Sequence, residues 1–241
     1  MCGRLNIIDD TGVQSLCEQL GIDFSPQSHP ARFVRATSQV GILIWDEQGA
    51  RWVDATWWLL LDKSVLPDGQ ITFSPSKYTS FNTRWDKVNV KRSAGYHSFR
   101  HQRCIVLVKG FGESQKVAKG MQYTDFEAQE GECIALGGLY RKWPNQQYSF
   151  SIITTPAHEK LDQYHSKASP LMLAQTKNMI FDWLNPDVTD VSQFDQLLQE
   201  PLLPQDLNAV PIAKPSLPEP IGQTVFIGKD EVRFNVGGNV Q

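Results

Sequence analysis

The stretch that decides the fold is RCIVLVKGFGE, at residues 103–113. Its residues 104–108 are all apolar and rich in β-branched side chains, a pattern that predicts a buried strand. Residues 149–155, which hold consecutive Ile and Thr pairs, predict a second buried strand. Because the predicted strands outnumber the helices and do not alternate with them regularly, we expect an α+β fold with mainly antiparallel sheets and a few short helices.

Weaker patterns place the remaining elements. Further strands are expected at 33–44 and at 132–139, the latter ending in two glycines. The proline-rich segment 201–220 is expected to wrap the surface, because proline disrupts helices and central strands. Alternation over 224–236, around the turn sequence GKD, predicts a terminal hairpin. Short helices are predicted at Thr11–Leu20, 155–164, 180–184 and 191–199.

The length of 241 residues and the composition are those of an ordinary globular protein with one sizeable domain. No apolar run approaches the ~20 residues that cross a bilayer, and the first residues lack the features of a secretory signal. We therefore expect a cytoplasmic protein with no membrane partner. No zinc site or disulfide framework is predicted, because no CxxC spacing occurs among Cys2, Cys17, Cys104 and Cys133.

Positive charge is concentrated in residues 77–119, although the net charge of the chain is −3. Within that segment only Asp86 and Glu113 are acidic, which leaves a local charge of +8. A basic segment in an acidic protein indicates a face that binds phosphates. The basic residues are Lys77, Arg84, Lys87, Lys91, Arg92, Arg100, Arg103, Lys109, Lys116 and Lys119.

The second residue, Cys2, gains unusual chemistry if the initiator methionine is removed. It would then carry a free α-amine beside a thiol, with ordinary pKa values of ~7.7–8.0 and ~8.5. Such an aminothiol condenses with an aldehyde, first to a Schiff base and then to a five-membered thiazolidine. An internal cysteine cannot react in this way, because its nitrogen belongs to an amide.

Four motifs, in this order, resemble the SRAP family of abasic-site processing proteins, first described as SOS response-associated peptidases. The resemblance covers roughly residues 1–183, and we expect one SRAP-like domain over residues 1–215, followed by a tail at 216–241. The motifs are the start MCGR, then FNTR at 81–84, then residues 103–113, and finally SIITTPA at 151–157 followed by HSKASP at 165–170.

The resemblance implies a role for each motif residue. Cys2 is the expected covalent nucleophile, and Asn82 is expected to hold the amino terminus and the sugar. Glu113 is the expected general acid and base, and His165 the acid and base near the sugar. A Glu and a His with shifted pKa values suit the proton transfers of Schiff-base chemistry.

The partner implied by the resemblance is single-stranded DNA that contains abasic sites, in the context of DNA damage and the SOS response. Tryptophan side chains can stack on exposed bases, at ~1–3 kcal/mol per base. We expect a monomer that needs no cofactor and no metal and that associates with the nucleoid when bound to DNA. The expected DNA contacts are Arg4, Arg84, Trp57, Trp58, Lys87, Arg103, Lys109 and Lys167.

Two other functions fit the same residues. Cys2, His165 and Glu113 are also the residue types of a cysteine peptidase, one that could act on its own amino terminus. A DNA-binding module without catalytic activity is the other alternative, because the chain departs from the family pattern around Glu113 and His165. One such departure is the spacing from His165 to Pro170, which is one residue longer than in the family pattern.

Overall fold

The computed structural model describes residues 3–8 and 11–231. The helices in this part of the chain are α1 (Thr11–Leu20), α2 (Trp85–Val88), α3 (Tyr96–His101), α4 (Lys177–Leu184) and α5 (Asp195–Gln199), with 3-10 turns at Pro144–Gln146 and Val191–Phe194. The strands are β1 (Arg4–Ile7), β2 (Ala31–Arg35), β3 (Gln39–Asp46), β4 (Gly49–Trp57), β5 (Leu61–Val65), β6 (Ile71–Pro75), β7 (Asn82–Arg84), β8 (Arg103–Val108), β9 (Gly110–Val117), β10 (Gly120–Ala128), β11 (Ile134–Lys142), β12 (Tyr148–Thr155), β13 (Ser169–Pro170), β14 (Leu207–Lys214), β15 (Leu217–Pro220) and β16 (Val225–Ile227).

The strands form two large sheets and a separate β5–β6 hairpin. The first sheet has the order β15-β14-β10-β9-β1-β2, and β16 also pairs with β14. The second has the order β11-β8-β3-β4-β12-β13, with β7 beside β12, and a β11–β12 pairing closes five of its strands into a ring. The pairings are antiparallel except where β12 runs parallel to β4 and β7. The predicted α+β class with mainly antiparallel sheets and a few short helices is confirmed.

The continuous apolar run of β8 is explained by burial on both faces of its sheet. Successive side chains of a strand point to opposite faces. Cys104, Val106 and Val108 therefore belong to a core shared with the first sheet. Ile105 and Leu107 belong to a second core, formed with the helices. The amphipathic helix α1, predicted with the bounds that the structure has, contributes Val13, Leu16, Cys17 and Leu20 to that second core.

The proline-rich segment is a correction to the sequence-based expectation. Residues 207–214 form β14, an interior strand of the first sheet that pairs with β10 on one side. Its other side is shared by two short strands, β16 against residues 207–209 and β15 against residues 212–214. Pro211 lies between those two partners, where the sheet tolerates a residue without an N–H group.

Two other local patterns were misleading. The helix expected at 155–164 is absent, since the chain makes non-helical turns there after β12 ends. The strand expected at 132–139 continues to Lys142. The hairpin expected at 224–236 falls partly on residues 232–241, which lie outside the described part of the chain. Its first half is β16, which pairs with β14. None of the helices described is long and apolar enough to cross a membrane.

Arg103 is the most deeply buried cationic side chain in the described part of the chain, with 1% of its surface exposed. Its guanidinium donates to the backbone oxygens of Phe99 and Arg100 at the end of α3, and to those of Trp183 and Asn185 at the end of α4. These carbonyls have no partner within their own helices, so a cation there satisfies both helix ends. Desolvation lowers the pKa of Arg103 to about 10.

We predict that Arg103→Met lowers the free energy of unfolding by about 3 kcal/mol, because four backbone carbonyls at the two helix ends lose a hydrogen bond from a buried cation. Chemical denaturation followed by tryptophan fluorescence measures the change. The exposed Lys91→Met is the control for a lost surface charge and should leave stability within about 0.5 kcal/mol of the native value. Equal stability of the Arg103 variant and this control would contradict the structural role given to Arg103.

Candidate active site

Arg4 fixes the start of β1 on the first sheet. Its guanidinium makes two bonds to Asp125 Oδ1 on β10, at 3.0 and 2.8 Å, and reaches the backbone oxygens of Glu113 and Thr124. To do so it crosses over Gly112 of β9, which is the register partner of Arg4. A Cβ at Gly112 would overlap the Arg4 side chain, so the glycine is needed for this crossing. β1 therefore enters the sheet beside the Glu113 end of β9.

Glu113 is a buried carboxylate, with 3% of its surface exposed. The two-residue period of a strand puts it on the same face as Phe111, which packs in the core between the sheets. Burial raises the pKa of Glu113 to about 7, although the charge of Arg4 opposes the shift. A carboxyl group with this pKa can both take up and return a proton near neutral pH.

His165 is brought to Glu113 by the loop 156–168, which joins β12 to β13. Its Nδ1 lies 3.6 Å from Glu113 Oε2 and 3.2 Å from the backbone oxygen of Ser114. Burial, supported by the charge of Lys167, lowers the pKa of His165. The imidazole is therefore neutral near pH 7 and can act as a base. The longer spacing from His165 to Pro170 does not prevent this contact.

Asn82 and Arg84 lie on β7, which runs parallel to β12. Asn82 pairs with Ile152, and Arg84 pairs with Thr154, next to the point where the loop 156–168 begins. Asn82 is half-buried, whereas the Arg84 side chain is 65% exposed. The Arg84 guanidinium makes two bonds to the carboxylate of Asp86, at 2.9 and 2.8 Å. The structure therefore places an exposed arginine beside the end of β12, the strand that leads into the loop carrying His165.

Three of the expected DNA contacts are corrected by burial. Arg4 is 5% exposed, and its guanidinium bonds to β9 and β10. Arg103 is 1% exposed and holds two helix ends. Trp57 is fully buried, donates to the Phe81 oxygen at 2.9 Å and stacks on Phe150. None of these three side chains is available to a nucleic acid.

Lys109 is half-buried, and its ammonium donates to the backbone oxygens of Gln129 and Glu132 in the β10–β11 turn. Trp58 is half-buried and donates to the Ser76 oxygen at 3.1 Å. Lys87 on α2 and Lys167 beside His165 are exposed. DNA contacts by these four residues stay predictions.

Cys2 lies outside the described residues. Three other cysteines, Cys17, Cys104 and Cys133, are buried. Burial raises the pKa of the Cys17 thiol to about 11 and that of Cys104 well above its usual range. Thiols of this kind are poor nucleophiles. Within residues 3–8 and 11–231, no group of three or more His, Cys, Asp and Glu side chains could hold a metal ion.

The sequence did not reveal the residues that support this site. Asp125 orients Arg4, and the Gln115 side chain accepts a hydrogen bond from the Ser166 N–H at 2.8 Å. Thr83 Oγ1 on β7 also lies 2.7 Å from Ser151 Oγ on β12, a hydrogen bond between hydroxyls that joins the two strands. One available signal was Gly112 directly before Glu113, because a glycine inside a strand indicates a close approach by another group.

Comparison with protein families gives one match, the model described as SOS response associated peptidase (SRAP), over residues 1–215. The chain belongs to the SRAP family. Among curated proteins, no sequence matches the chain.

Solved structures share the fold at low sequence identity. A protein from Bordetella bronchiseptica is 16% identical, with a TM-score of 0.66 over 88% of this chain and 100% of the other. A protein from Bacteroides thetaiotaomicron is 17% identical, with a TM-score of 0.62 over 87% and 91%. A phage-related protein from Bordetella bronchiseptica is 15% identical, with a TM-score of 0.65 over 88% and 95%. At these identities the likeness extends to the fold alone.

The raised pKa of Glu113 predicts a specific pH dependence of stability. The folded state keeps the Glu113 proton up to about pH 7, whereas a glutamate in the unfolded chain loses it near 4.5. Stability therefore falls as the pH rises through this window. Glu113→Gln removes the ionisable group. The difference in free energy of unfolding between this variant and the native protein should therefore shift in favour of the variant by on the order of 2–3 kcal/mol between pH 4 and pH 8.

Denaturant unfolding of both proteins at pH 4, 6 and 8 measures this difference. Glu130→Gln, which changes an exposed carboxylate on the turn after β10, is the matched control. If the Glu113 and Glu130 variants show the same pH dependence as the native protein, Glu113 is not held protonated by burial.

Proposed function

We propose that this SRAP protein senses abasic sites in single-stranded DNA and captures them as a covalent thiazolidine through Cys2. The observation that carries the proposal is the buried Glu113–His165 pair, at 3.6 Å, beside the start of β1. Arg4 opens β1 next to Glu113, and two peptide units span at most about 7 Å. The proposal puts the amine of Cys2 within this distance of Arg4, close to the two groups.

The proposed reaction starts with the ring-opened aldehyde of the abasic sugar. The unprotonated α-amine of Cys2 attacks the aldehyde carbon and forms a carbinolamine. Glu113 takes the proton released from the nitrogen and returns it to the hydroxyl, which leaves as water and gives the Schiff base. The Cys2 sulfur then adds to the imine carbon while its proton moves to the nitrogen. One water is released overall, and no oxidant or cofactor is consumed.

His165 is proposed to act on the sugar. A neutral imidazole can take the proton of the C1 hydroxyl and deliver it to the ring oxygen as the bond between that oxygen and C1 breaks to give the aldehyde, and it can move the proton back when the ring closes. Its neutrality is supported by burial and by the nearby charge of Lys167. His165 would therefore assist both formation and release of the crosslink, whereas Glu113 would serve the amine.

The proposed DNA path runs over β7 and the loop 156–168. Arg84, Lys87 and Lys167 are exposed there, and each can pair with a phosphate. Asn82, from the same strand as Arg84, is proposed to hold the amino terminus and the sugar.

We predict that purified protein forms a complex with an abasic single-stranded oligonucleotide that survives a denaturing gel. Intact-mass measurement should show that the active protein begins at Cys2. Cys2→Ala should abolish the complex, and Cys2→Ser should leave a Schiff base that is trapped only by reduction. Glu113→Ala should slow formation by about 10²-fold or more. His165→Ala should slow both formation and exchange onto competitor abasic DNA.

An intact oligonucleotide of the same sequence is the control and should give no stable complex. Retention of Met1 in an active preparation would contradict the thiazolidine chemistry. Wild-type rates of formation and exchange in His165→Ala would remove His165 from the mechanism.

A cysteine peptidase is the second candidate, because a histidine beside a buried carboxylate is also the arrangement that activates a thiol nucleophile. Incubation of the protein with a peptide mixture, in the absence of DNA, distinguishes the two. Peptide cleavage that requires Cys2 and His165, without a DNA complex, would favour the peptidase.

The Arg84–Asp86 pair allows a separate test of the DNA path. Arg84→Ala should weaken single-strand binding for all sequences and reduce the slope of log affinity against log salt by about 0.7. Asp86→Asn keeps the arginine and removes the carboxylate that competes with a phosphate, so binding should tighten. Lys214→Ala, an exposed lysine on β14, is the control. Fluorescence anisotropy over a range of salt concentrations measures all three. Unchanged affinity in both Arg84 and Asp86 variants would exclude β7 from the path.

A further inference from the structure

The segment after residue 215 returns to the loop that carries His165. Asp230 is the main contact in this segment. Its Oδ2 accepts from His158 Nε2 and from the Leu203 N–H, both at 2.8 Å, and its Oδ1 lies 2.8 Å from Lys160 Nζ. The Asp230 N–H donates to the Leu203 oxygen, also at 2.8 Å. A single carboxylate therefore joins the carboxyl-terminal segment to the beginning of the loop 156–168.

Lys160 strengthens this junction through the backbone. Its ammonium also donates to the oxygens of Gly228 and Lys229, at 2.7 and 3.0 Å. Two of the three partners named for this ammonium are thus backbone oxygens of the carboxyl-terminal segment. Because the Lys160 side chain is 34% exposed, this part of the junction is accessible to substitution without disturbing the core.

The hydrogen bonds of His158 define its tautomer. Its Nδ1 accepts from the Lys160 N–H at 3.2 Å, so the ring proton lies on Nε2 and is donated to Asp230. The imidazole is 4% exposed, and its own backbone N–H donates to Ser169 Oγ on β13. His158 is therefore fixed by two contacts, through its backbone to β13 and through its ring to Asp230.

The same loop is anchored at its other end by the site. Leu161 and Tyr164 are buried in the core between the sheets, and the Tyr164 ring packs edge-on against Phe126 of β10. The His165 N–H donates to the Leu161 oxygen at 3.0 Å. Displacement of the turn at residues 158–161 would therefore be passed along the backbone to His165.

We propose that His158, Lys160 and Asp230 form a clamp by which the carboxyl-terminal segment holds the loop 156–168 and positions His165 against Glu113. The family match ends at residue 215, so the clamp joins a segment outside that match to the loop that carries His165. The three residues are positioning residues, and the inference rests on the proposed function of His165.

The charge state of the clamp supports this role. Burial raises the pKa of Asp230, but the hydrogen bonds from Lys160, Leu203 and His158 outweigh it and hold the pKa below the usual range. Asp230 is therefore ionised, and the clamp is closed, throughout the pH range in which the site would work. The substitution Asp230→Asn keeps the size of the side chain and removes its charge.

Histidine-ring NMR of the full-length protein tests the clamp directly. Long-range 1H–15N spectra over pH 5–8 report the tautomer and pKa of each histidine, and His165→Gln assigns the His165 signals. In Asp230→Asn and in Lys160→Gln, we expect the His165 signals to shift and its lowered pKa to move back toward ~6.5, the value of a solvated histidine. Asp190→Asn, an exposed carboxylate that caps the turn Val191–Phe194, is the control and should change nothing at His165.

Crosslink kinetics give the second readout. The rate with abasic single-stranded DNA should fall about tenfold in Asp230→Asn, because a misplaced acid–base group loses its alignment. Affinity for intact single-stranded DNA should stay within twofold of the native protein, since Asp230 is not among the proposed phosphate contacts, which are Arg84, Lys87 and Lys167. Asp230→Glu, which retains the charge, should restore part of the rate.

The clamp is overturned if the His165 titration is unchanged in both Asp230→Asn and Lys160→Gln while their spectra remain those of a folded protein. If Asp230→Asn does not fold, Lys160→Gln alone provides the test, because it changes only Lys160, the most exposed residue of the clamp. The two proposals fail separately. If the native protein forms no crosslink, the proposed function is wrong, yet the shift of the His165 signals still decides whether the clamp positions this residue.

Discussion

The site depends on the buried pairing of Arg4 with Asp125 across three adjacent strands. The guanidinium starts on β1, passes over Gly112 of β9 and ends on β10, with further bonds to the oxygens of Glu113 and Thr124. A shift of the β1 register by one residue would replace the glycine by a side chain and turn Arg4 to the other face. Removal of one partner from a buried ion pair costs about 3–5 kcal/mol, whereas replacement of both by apolar groups is often harmless. The pairing is therefore better understood as fixing the register than as adding stability.

Register in turn decides the chemistry of Glu113. The strand period that puts Phe111 in the core puts Glu113 on the same face, at the end where the loop 156–168 covers it. Its burial is thus a consequence of strand geometry, and the raised pKa follows from the burial. The same loop brings His165 and the charge of Lys167, which lower the tendency of the imidazole to become protonated. Near pH 7 a carboxyl group that can both take up and release a proton therefore lies beside a neutral imidazole, an arrangement suited to proton transfer.

Sequence patterns were informative where the structure is decided locally. The period of α1 and the apolar run of β8 report the faces that each element buries, so both were predictable. The segment 155–164 has a plausible helix pattern, but its residues are taken up by bonds to β9, β13 and Asp230, which are distant in the sequence. The expectation that Pro211 would lie outside an interior strand was also wrong, because two short partner strands leave a gap at its position. The motif order predicted Glu113 and His165 together, whereas the clamp residues carry no local signal of their partners.

The positive charge of a segment is likewise visible in the sequence, whereas the groups that bind each charged side chain are distant in the sequence. The segment 77–119 has a local charge of +8, yet Arg103 is buried against two helix ends, and the half-buried Lys109 donates to the β10–β11 turn. Carbonyl oxygens at helix ends and turns attract cations as phosphates do, and a sequence cannot tell which acceptor an arginine will meet. The positive residues that remain exposed near the site are fewer, and Arg84 already shares its charge with Asp86. Binding of a polyanion there would have to exchange this carboxylate for a phosphate, which makes the affinity of β7 for DNA depend on Asp86 as much as on Arg84.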